Sequence, residues 1–466
     1  MISLDVKTFT GVCKIVINKG NKYFDIIDHA SFLSKNLYNS ALYEERQLYF
    51  GRTNSDLKGK TLNYKQLYDL MKDSEVYREM KEVRASVAQG VLMSLSNAIT
   101  AFNNSLKSYY KNPKKFKGKP RLPKYKHKTL GRYPLLYNYQ SLKIRDSKLI
   151  IGIGEEKLYF ELPPYLKEAV VKTSPYSLID NKLEVIQARI IPIHNRYEIE
   201  IVYDREYEIQ NRIGSNVASI DLGVNNLVTL VTNIPNEHPL IISGKYLKSY
   251  NNQYNKKIAK LKSAAKKCNK TYMTNKLHSI YYNRSNYFRT NFHQISNKIV
   301  DYLVQKGIGR LVIGYNKQWK YKSKLHKKAN QRFVQMPHLI LVKYLEYKCS
   351  RVGIEVIKVN ESYTSSTSFL DKELPNRSNY DRSRRVKRGK FITNTGIVIN
   401  SDVNGALQIM HKRFPKLAPI HLKGVPILNP IAIVNTTYPK DEKKRQEKNT
   451  IYRNRKKLKV SNKKSA

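Results

Sequence analysis

Acidic residues are scarce in this chain. Of its 466 residues, 36 are Asp or Glu against 86 Lys or Arg, a formal net charge of +50. An excess of that size repels itself in a folded protein, so the shortage of acids implies a polyanionic partner. Nucleic acid is the first choice. A membrane surface is the second, but no long basic amphipathic helix stands out. Cysteine is scarcer still: Cys13, Cys268 and Cys349 are widely spaced, and none belongs to a Cys-x-x-Cys pair. That argues against a disulfide framework and against a Cys-based zinc site. No apolar run approaches the roughly 20 residues that span a bilayer. The start, Met-Ile-Ser-Leu-Asp-Val-Lys, lacks the basic beginning and apolar core of a signal peptide. A soluble, cytoplasmic protein without membrane attachment is expected. A phosphate loop is missing as well, because Gly152-Ile-Gly154 lacks the Gly-Lys-Ser/Thr that would follow and the strand-to-helix context.

Tyrosine is abundant, with 35 in the chain. Many lie among lysines, as in Lys107-Ser-Tyr-Tyr-Lys111 and Trp319-Lys-Tyr-Lys322. Rings beside cations can stack bases while the cations hold phosphates. An AT-rich coding sequence would also enrich Tyr, Lys, Asn and Ile. In Lys111–Lys128, nine of eighteen residues are Lys or Arg, broken by Pro113, Pro120 and Pro123. The prolines keep this stretch extended and the cations line up along it. Lys114, Lys115, Lys117, Lys119, Arg121, Lys124 and Lys126 are therefore candidates for phosphate contacts, although a charge run is also what a solvated surface looks like.

The few acids repay individual reading. Val217–Ile220 and Leu227–Thr232 are β-prone runs around a turn with Gly223 and Asn225-Asn226, which reads as a hairpin. Asp221 ends the first strand where the apolar run calls for Val or Ile. A carboxylate there is costly unless something pairs with it, and a divalent cation is one such partner. Glu361 follows the short run Ile354–Val359, and Asp402 opens the amphipathic stretch after Ile399. An RNase H-like sheet would bring a strand, a strand end and a helix start together. Two Mg²⁺ ions about 4 Å apart need several carboxylates for in-line phosphodiester hydrolysis. Glu361 read as a loop acid and Asp402 as a helix cap are the plainer alternatives.

The remaining patterns divide the chain. A strand at 11–17 precedes helical spacing through Phe32–Leu42, from about Asn63, and from about Glu82 to Tyr110. Residues 133–208 read as β, with a hairpin around His194-Asn195, and with the first strand they would close a small barrel. Strands and helices then alternate from residue 213, with helices expected at 246–267, 275–306 and 332–352. Residues 440–466 carry twelve Lys or Arg and almost no apolar pattern, so 436–466 reads as a disordered basic tail.

Three blocks resemble the transposon-encoded TnpB (OrfB) proteins, RuvC-like nucleases related to the type V CRISPR effectors. They are Ser219–Leu230; Ile313–Lys320 with Asn330–Pro337 and Gly353–Ser365; and Asn400–Ala406. They are spread over residues 219–406 in the family's order. The resemblance implies Asp221, Glu361 and Asp402 as the catalytic and metal-binding triad, with Mg²⁺, or Mn²⁺ in its place. It implies a guide RNA and double-stranded target DNA as partners, and a short motif flanking the target. The implied architecture is an α/β and α+β multidomain chain. An amino-terminal β-barrel wedge domain (1–22 and 112–212) carries a helical recognition insert (23–111). An RNase H-like (RuvC) nuclease core spans 213–361 and 399–435, interrupted by a target-strand insert (362–398). The family places a four-cysteine zinc ribbon in that insert, and this chain has no cysteine there, so zinc is not expected. Seven cations between Arg377 and Lys390, among them Arg384, Arg385 and Arg388, lead the insert to be read as touching nucleic acid. Cleavage guided by RNA is the function implied. A nuclease-inactive guided DNA-binding protein, a basic RNA-binding protein and a transposase that joins DNA ends are the alternatives.

Overall fold

The computed structural model describes residues 4–52, 61–172, 183–210, 216–269, 274–316, 327–387, 389–416 and 431–433. Backbone packing divides the chain into an amino-terminal unit, Val6–Glu208, and a carboxy-terminal unit, Ile209–Ala466 with Met1–Asp5. The basic tail read at 436–466 lies outside the described residues.

In the amino-terminal unit, β1 (Leu4–Asn18) leads into α1 (Phe24–Tyr49), α2 (Tyr64–Met71) and α3 (Glu75–Lys111). Asn63 opens α2 with a reciprocal cap: its side chain accepts from the Gln66 N–H, and the Gln66 side chain accepts from the Asn63 N–H. Ser74 opens α3 by accepting from the Tyr77 N–H. This places the helix start ahead of Glu82, where the apolar spacing alone put it. The chain leaves helical geometry once inside α3, at Arg84 (φ −176°, ψ 128°). By length and composition α3 is apolar enough to cross a membrane, yet Met80, Val87, Val91 and Leu95 are buried in a shared core with Ile27, Leu37 and Leu42 of α1. Each such side chain contributes roughly 1.5–3 kcal/mol by leaving water.

The β part follows as β2 (Leu135–Asn138), β3 (Leu142–Arg145), β4 (Lys148–Ile153), β5 (Glu156–Glu161), β6 (Val170–Val171), β7 (Leu183–Ile193) and β8 (Arg196–Gln210). The hairpin of β7 and β8 turns at His194-Asn195, with His194 at φ 56°. The expected barrel is not formed. One sheet runs β1-β8-β7-β2, with β6 also on β7, and β3-β4-β5 make a separate sheet. After β2 the chain makes a short 3₁₀ turn at Tyr139–Ser141, and β3 then pairs with β4. Closure needs every edge paired, and β1 and β2 remain the two ends of an open sheet. Tyr137 of β2 and Leu149 and Ile151 of β4 enter the same core as the helices.

The carboxy-terminal unit is built on β9 (Asn216–Leu222), β10 (Asn226–Thr232), β11 (Leu240–Ser243), α4 (Lys245–Asn269), α5 (Asn275–Gln305), β12 (Ile308–Gly314), α6 (Lys327–Gln335), α7 (His338–Arg351), β13 (Glu355–Val359), β14 (Lys390–Ile392), β15 (Val398–Asn400), α8 (Ser401–Arg413) and β16 (Ile431–Ile433). Its sheet has the order β13-β12-β9-β10-β11-β16. β9, β10 and β11 form an antiparallel meander, and β12 and β13 extend it in parallel. Both faces are covered, which is why these strands read as continuous apolar runs. Ala218, Ile220, Leu311 and Ile313 pack with Phe288, Phe292, Leu341 and Leu345 of α5 and α7. Val217, Val231 and Val312 pack with Val403, Ala406 and Met410 of α8. The single helix expected at 332–352 is two helices, α6 and α7. Pro337 lacks an N–H and disfavours helix in the residue before it, so the chain breaks there. The mixed α/β, multidomain character expected from the sequence holds.

Candidate active site

The two-residue alternation of a strand decides which face each residue of β9 presents. Val217 and Ser219 face α8: Val217 packs with the α8 cluster, and the buried Ser219 hydroxyl donates to the Ala406 carbonyl at 2.7 Å. Asp221 shares their parity. A Cβ added to Gly405 would lie 2.9 Å from Asp221 Oδ2, so the carboxylate rests against the bare backbone of α8. Asp402 stands in the first turn of that helix. It is not the cap. Asn400 is, accepting from the N–H groups of Asp402 and Val403, and this frees the Asp402 carboxylate. Asn226 Nδ2 donates to Asp402 Oδ2 at 2.7 Å, and Arg385 Nη2 lies 4.0 Å from Asp402 Oδ1. Glu361 follows β13 and approaches the end of β12. A Cβ on Gly314 would be 3.1 Å from Glu361 Oε2, and Asn316 Nδ2 donates to Glu361 Oε1 at 3.3 Å.

Electrostatics ties these acids together. Tight packing strips water from the Asp221 carboxyl and pushes its pKa up to about 7, with Asp402 adding to the rise and Arg385 opposing it. Burial pushes Glu361 up to about 8, and the charge of Asp221 adds to it. Asp221 is thus the carboxylate shared by the two pairs, coupled to Asp402 on one side and felt by Glu361 on the other. Among the described residues, no three His, Cys, Asp or Glu side chains stand close enough to enclose a metal ion as placed. The acids meet pairwise around Asp221 rather than as a closed cage. Asn226 donates to Asp402 and Asn316 to Glu361.

The residues fit a hard divalent cation. The donors are carboxylate oxygens, the group that Mg²⁺ prefers. Two of them are held in conditions that penalise their charge, and a side chain at Gly405 or Gly314 would press on the Asp221 or the Glu361 carboxylate. The adjoining cleft, about 390 Å³, is lined by Asn225, Asn226, Lys245, Arg385 and Asp402. Asn226, Asn316 and Lys245 were not singled out for the site by the sequence. The signal available was position: Asn226 opens β10 after the turn that follows Asp221, and Lys245 and Asn316 stand two residues beyond β11 and β12.

The insert between Glu361 and Asp402 is cross-linked by Arg384. Its guanidinium bonds both carboxylate oxygens of Glu373, at 2.8 and 2.9 Å, and lies 3.8 Å from Asp371 and from Asp381. Glu373 accepts from the Ser368 N–H, and Asp371 from the Asn394 N–H. These stretches, Ser366–Asp371 and Phe391–Gly396, are where the resemblance places zinc-ribbon cysteines. Their hydroxyl and amide groups do not fit a zinc ion. Arg384 is therefore removed from the nucleic-acid candidates, because it is taken up by carboxylates. Arg385 keeps an exposed side chain at the cleft. Arg388 lies outside the described residues.

The other basic candidates are in the amino-terminal unit. Carbonyls of Pro123, Lys124, Lys126 and Lys128 accept from Arg46, Tyr38, Asn39 and Lys35 of α1. The extended stretch is stitched to α1 by its backbone. The side chains of Lys114, Lys115, Lys117, Lys119, Arg121, Lys124 and Lys126 are all exposed. Lys126 lies 5.5 Å from the rings of both Tyr38 and Tyr133, which stack on each other.

No curated protein matches the sequence. The solved Cas12f1–sgRNA–target DNA complex is similar to this chain at 16% identity, with a TM-score of 0.50, over 83% of this chain and 82% of that one. At that identity the likeness shows the fold. The mini RNA-guided endonuclease CRISPR-Cas_phi3 is 10% identical, with a TM-score of 0.42, over 89% of this chain and 93% of that one. Residues 200–320 match the OrfB_IS605 family, described as probable transposase, and residues 338–409 match the Cas12f1-like TNB domain. The chain therefore carries, over those two stretches, the sequence of the OrfB and Cas12f1-like families, as its resemblance to the TnpB proteins leads one to expect.

Proposed function

We propose that the chain is an RNA-guided DNA endonuclease. It binds a guide RNA and hydrolyses double-stranded DNA complementary to that guide, next to a short flanking motif. The observation that carries this reading is the pairwise approach of Asp402 and of Glu361 to Asp221, carboxylates drawn from sites up to 181 positions apart, on a strand, a strand end and the first turn of a helix. Mg²⁺ or Mn²⁺ held by these three acids would supply an activated water and neutralise the leaving oxygen. Asp221, fixed on the central strand, is the acid common to both pairs. Asn226 and Asn316 orient the other two carboxylates, and Gly405 and Gly314 let the backbone of α8 and the end of β12 approach the Asp221 and Glu361 carboxylates closely. Lys245 and Arg385 line the cleft and attract the phosphate to be cut. The cations from Lys114 to Lys126 hold a nucleic-acid backbone. Residues 1–22 and 112–212 serve as the wedge, 23–111 as the recognition part, and 362–398 touch the target strand without zinc. The protein works in the cytoplasm, on the nucleoid.

RNA that copurifies with the protein is sequenced and used to design a matched plasmid. One discrete RNA species ending in variable sequence, and Mg²⁺-dependent cutting of that plasmid, are expected. Asp221→Ala abolishes cutting and keeps guided binding largely intact. Cutting by that variant at the wild-type rate would overturn the assignment. The description of the matched family as probable transposase favours a second reading, joining of DNA ends. Strand-transfer products in the same assay, absent from the first reading, would select it.

A further inference from the structure

The amino-terminal unit contains a cleft of about 840 Å³ that the nuclease reading does not use. Its floor is the outward face of the three-stranded sheet. Lys143, Ile150 and Tyr159 form one cross-strand row there, and Gly152 and Lys157 the next. The opposite faces of the same strands carry Leu149, Ile151, Leu158 and Phe160, which are buried in the core. The facing wall is apolar and comes from Ala169, Val170 and Val171. Tyr159 is 48% exposed and Val170 38%, so both apolar walls stand open to solvent. The volume lies within the range of ligand-sized clefts.

Arg84 reaches this cleft because α3 breaks there. The Gly154 N–H donates to the Val83 carbonyl at 2.8 Å, which fixes the break against the end of β4. A Cβ on Gly152 would sit 2.8 Å from Arg84 Nη1, so a glycine at that position makes room for the guanidinium. Among the described residues, Arg84 has no hydrogen-bond or ion-pair partner. Lys143, Arg145 and Lys157 line the same cleft. Against these four cations stands one carboxylate, Asp146, which is 84% exposed and lies 3.7 Å from Arg145. A broken helix, a glycine that admits an arginine and a guanidinium without a partner together make a built anion site.

We propose that this cleft binds one unstacked nucleotide of a nucleic-acid strand. The base lies between Tyr159 with Ile150 and Val170 with Val171, and the phosphate sits on Arg84 and Lys143. A flat ring next to an anion is the one chemistry that both halves of the cleft serve: an aromatic and aliphatic slot for the base, and cations for the phosphate. The proposal rests on the reading of the chain as a nucleic-acid protein, and the subsite belongs to the amino-terminal unit.

The test uses the full chain with two probes, a single-stranded RNA carrying 4-thiouridine and a single-stranded DNA of the same sequence carrying 4-thiothymidine. Each is cross-linked with long-wave ultraviolet light, and the cross-linked residues are mapped by mass spectrometry. A cross-link at Tyr159 is expected, and the probe that gives it identifies the strand as RNA or DNA. Its yield falls roughly tenfold in Arg84→Ala, and likewise in Gly152→Ala, which displaces the guanidinium without altering the sheet. Cross-links to the Lys114–Lys126 stretch persist in both variants. No cross-link at Tyr159 with either probe, or an undiminished one in both variants, overturns the proposal. DNA cutting is measured on the same preparation. A protein that cuts but lacks the Tyr159 cross-link sinks the cleft alone. A protein that gives the cross-link but cannot cut sinks the nuclease reading alone.

Discussion

Asp221 occupies a place where a strand covered on both faces would ordinarily carry valine. Its carboxyl is packed against the α8 backbone and raised to about 7 by burial and by Asp402. A charge held under those conditions weakens the metal-free fold. Asp221→Asn is expected to raise metal-free stability by roughly 1–2 kcal/mol in a urea titration while abolishing cleavage. A loss of stability would show instead that the carboxylate is well satisfied without a cation. Glu45 gives a separate, structural case. It is 1% exposed, accepts from the Leu62 N–H at 3.2 Å, and burial pushes it up to about 7. The unfolded chain releases this proton nearer 4.5. The stabilising contribution is therefore complete below that value and is lost as pH rises through about 7. Glu45→Gln should flatten the loss of stability between about pH 5 and about pH 8, by up to about 3 kcal/mol, as read by denaturant melts at the two pH values. At this scale Asp221 was legible because a polar residue interrupts an apolar run. Asn226, Asn316 and the pairing of Arg384 were not, because each takes its meaning from a partner distant in sequence.

The strands of the carboxy-terminal sheet were legible for a simple reason. Burial on both faces makes β9, β10 and β12 continuous apolar runs with turns between them. The division into α6 and α7 was missed because apolar spacing continues across Pro337, and only the missing N–H stops the helix. The insert is the element the sequence described least. Its cysteine-free composition excluded a Cys-based metal, but which side chains replaced the cross-link depended on Arg384 meeting Glu373 and Asp371, which are 15% and 10% exposed. The same network reaches α8, since Gln408 Nε2 donates to the Glu373 carbonyl at 3.0 Å and Asn404 bridges Thr367 and Phe369. Removing one member of a buried pair leaves its partner uncompensated, at a cost of roughly 3–5 kcal/mol. Arg384→Met is expected to speed amide exchange in β14, β15 and the first turn of α8, as measured by mass spectrometry, whereas a zinc chelator leaves exchange unchanged. A chelator that loosened the insert would point to a metal after all.

The whole molecule is governed by its charge. A formal +50 could be read from composition, and so could the need for a polyanion. Composition did not place the cations. The carbonyls of Pro123, Lys124, Lys126 and Lys128 are taken by α1, and the cationic side chains from Lys114 to Lys126 are exposed. The barrel failed at the same scale: alternation predicts strands, but which edges pair is a property of the assembled sheet, and β3 pairs with β4. Replacing Lys114, Lys115 and Lys117 with Gln should weaken binding across all sequences. It should also reduce the dependence of log affinity on log salt by about 2–3 in slope, as measured by fluorescence anisotropy over a salt series. An unchanged slope would remove that stretch from the interface. The account as a whole turns on whether Asp221, Glu361 and Asp402 close on a divalent cation. The direct measurement is uptake of Mn²⁺, followed by electron paramagnetic resonance, in the wild type and in Asp221→Ala, Glu361→Ala and Asp402→Ala. Saturable binding that falls at least tenfold in Asp221→Ala and weakens in both other variants is the predicted result; equal uptake by all four proteins would contradict it.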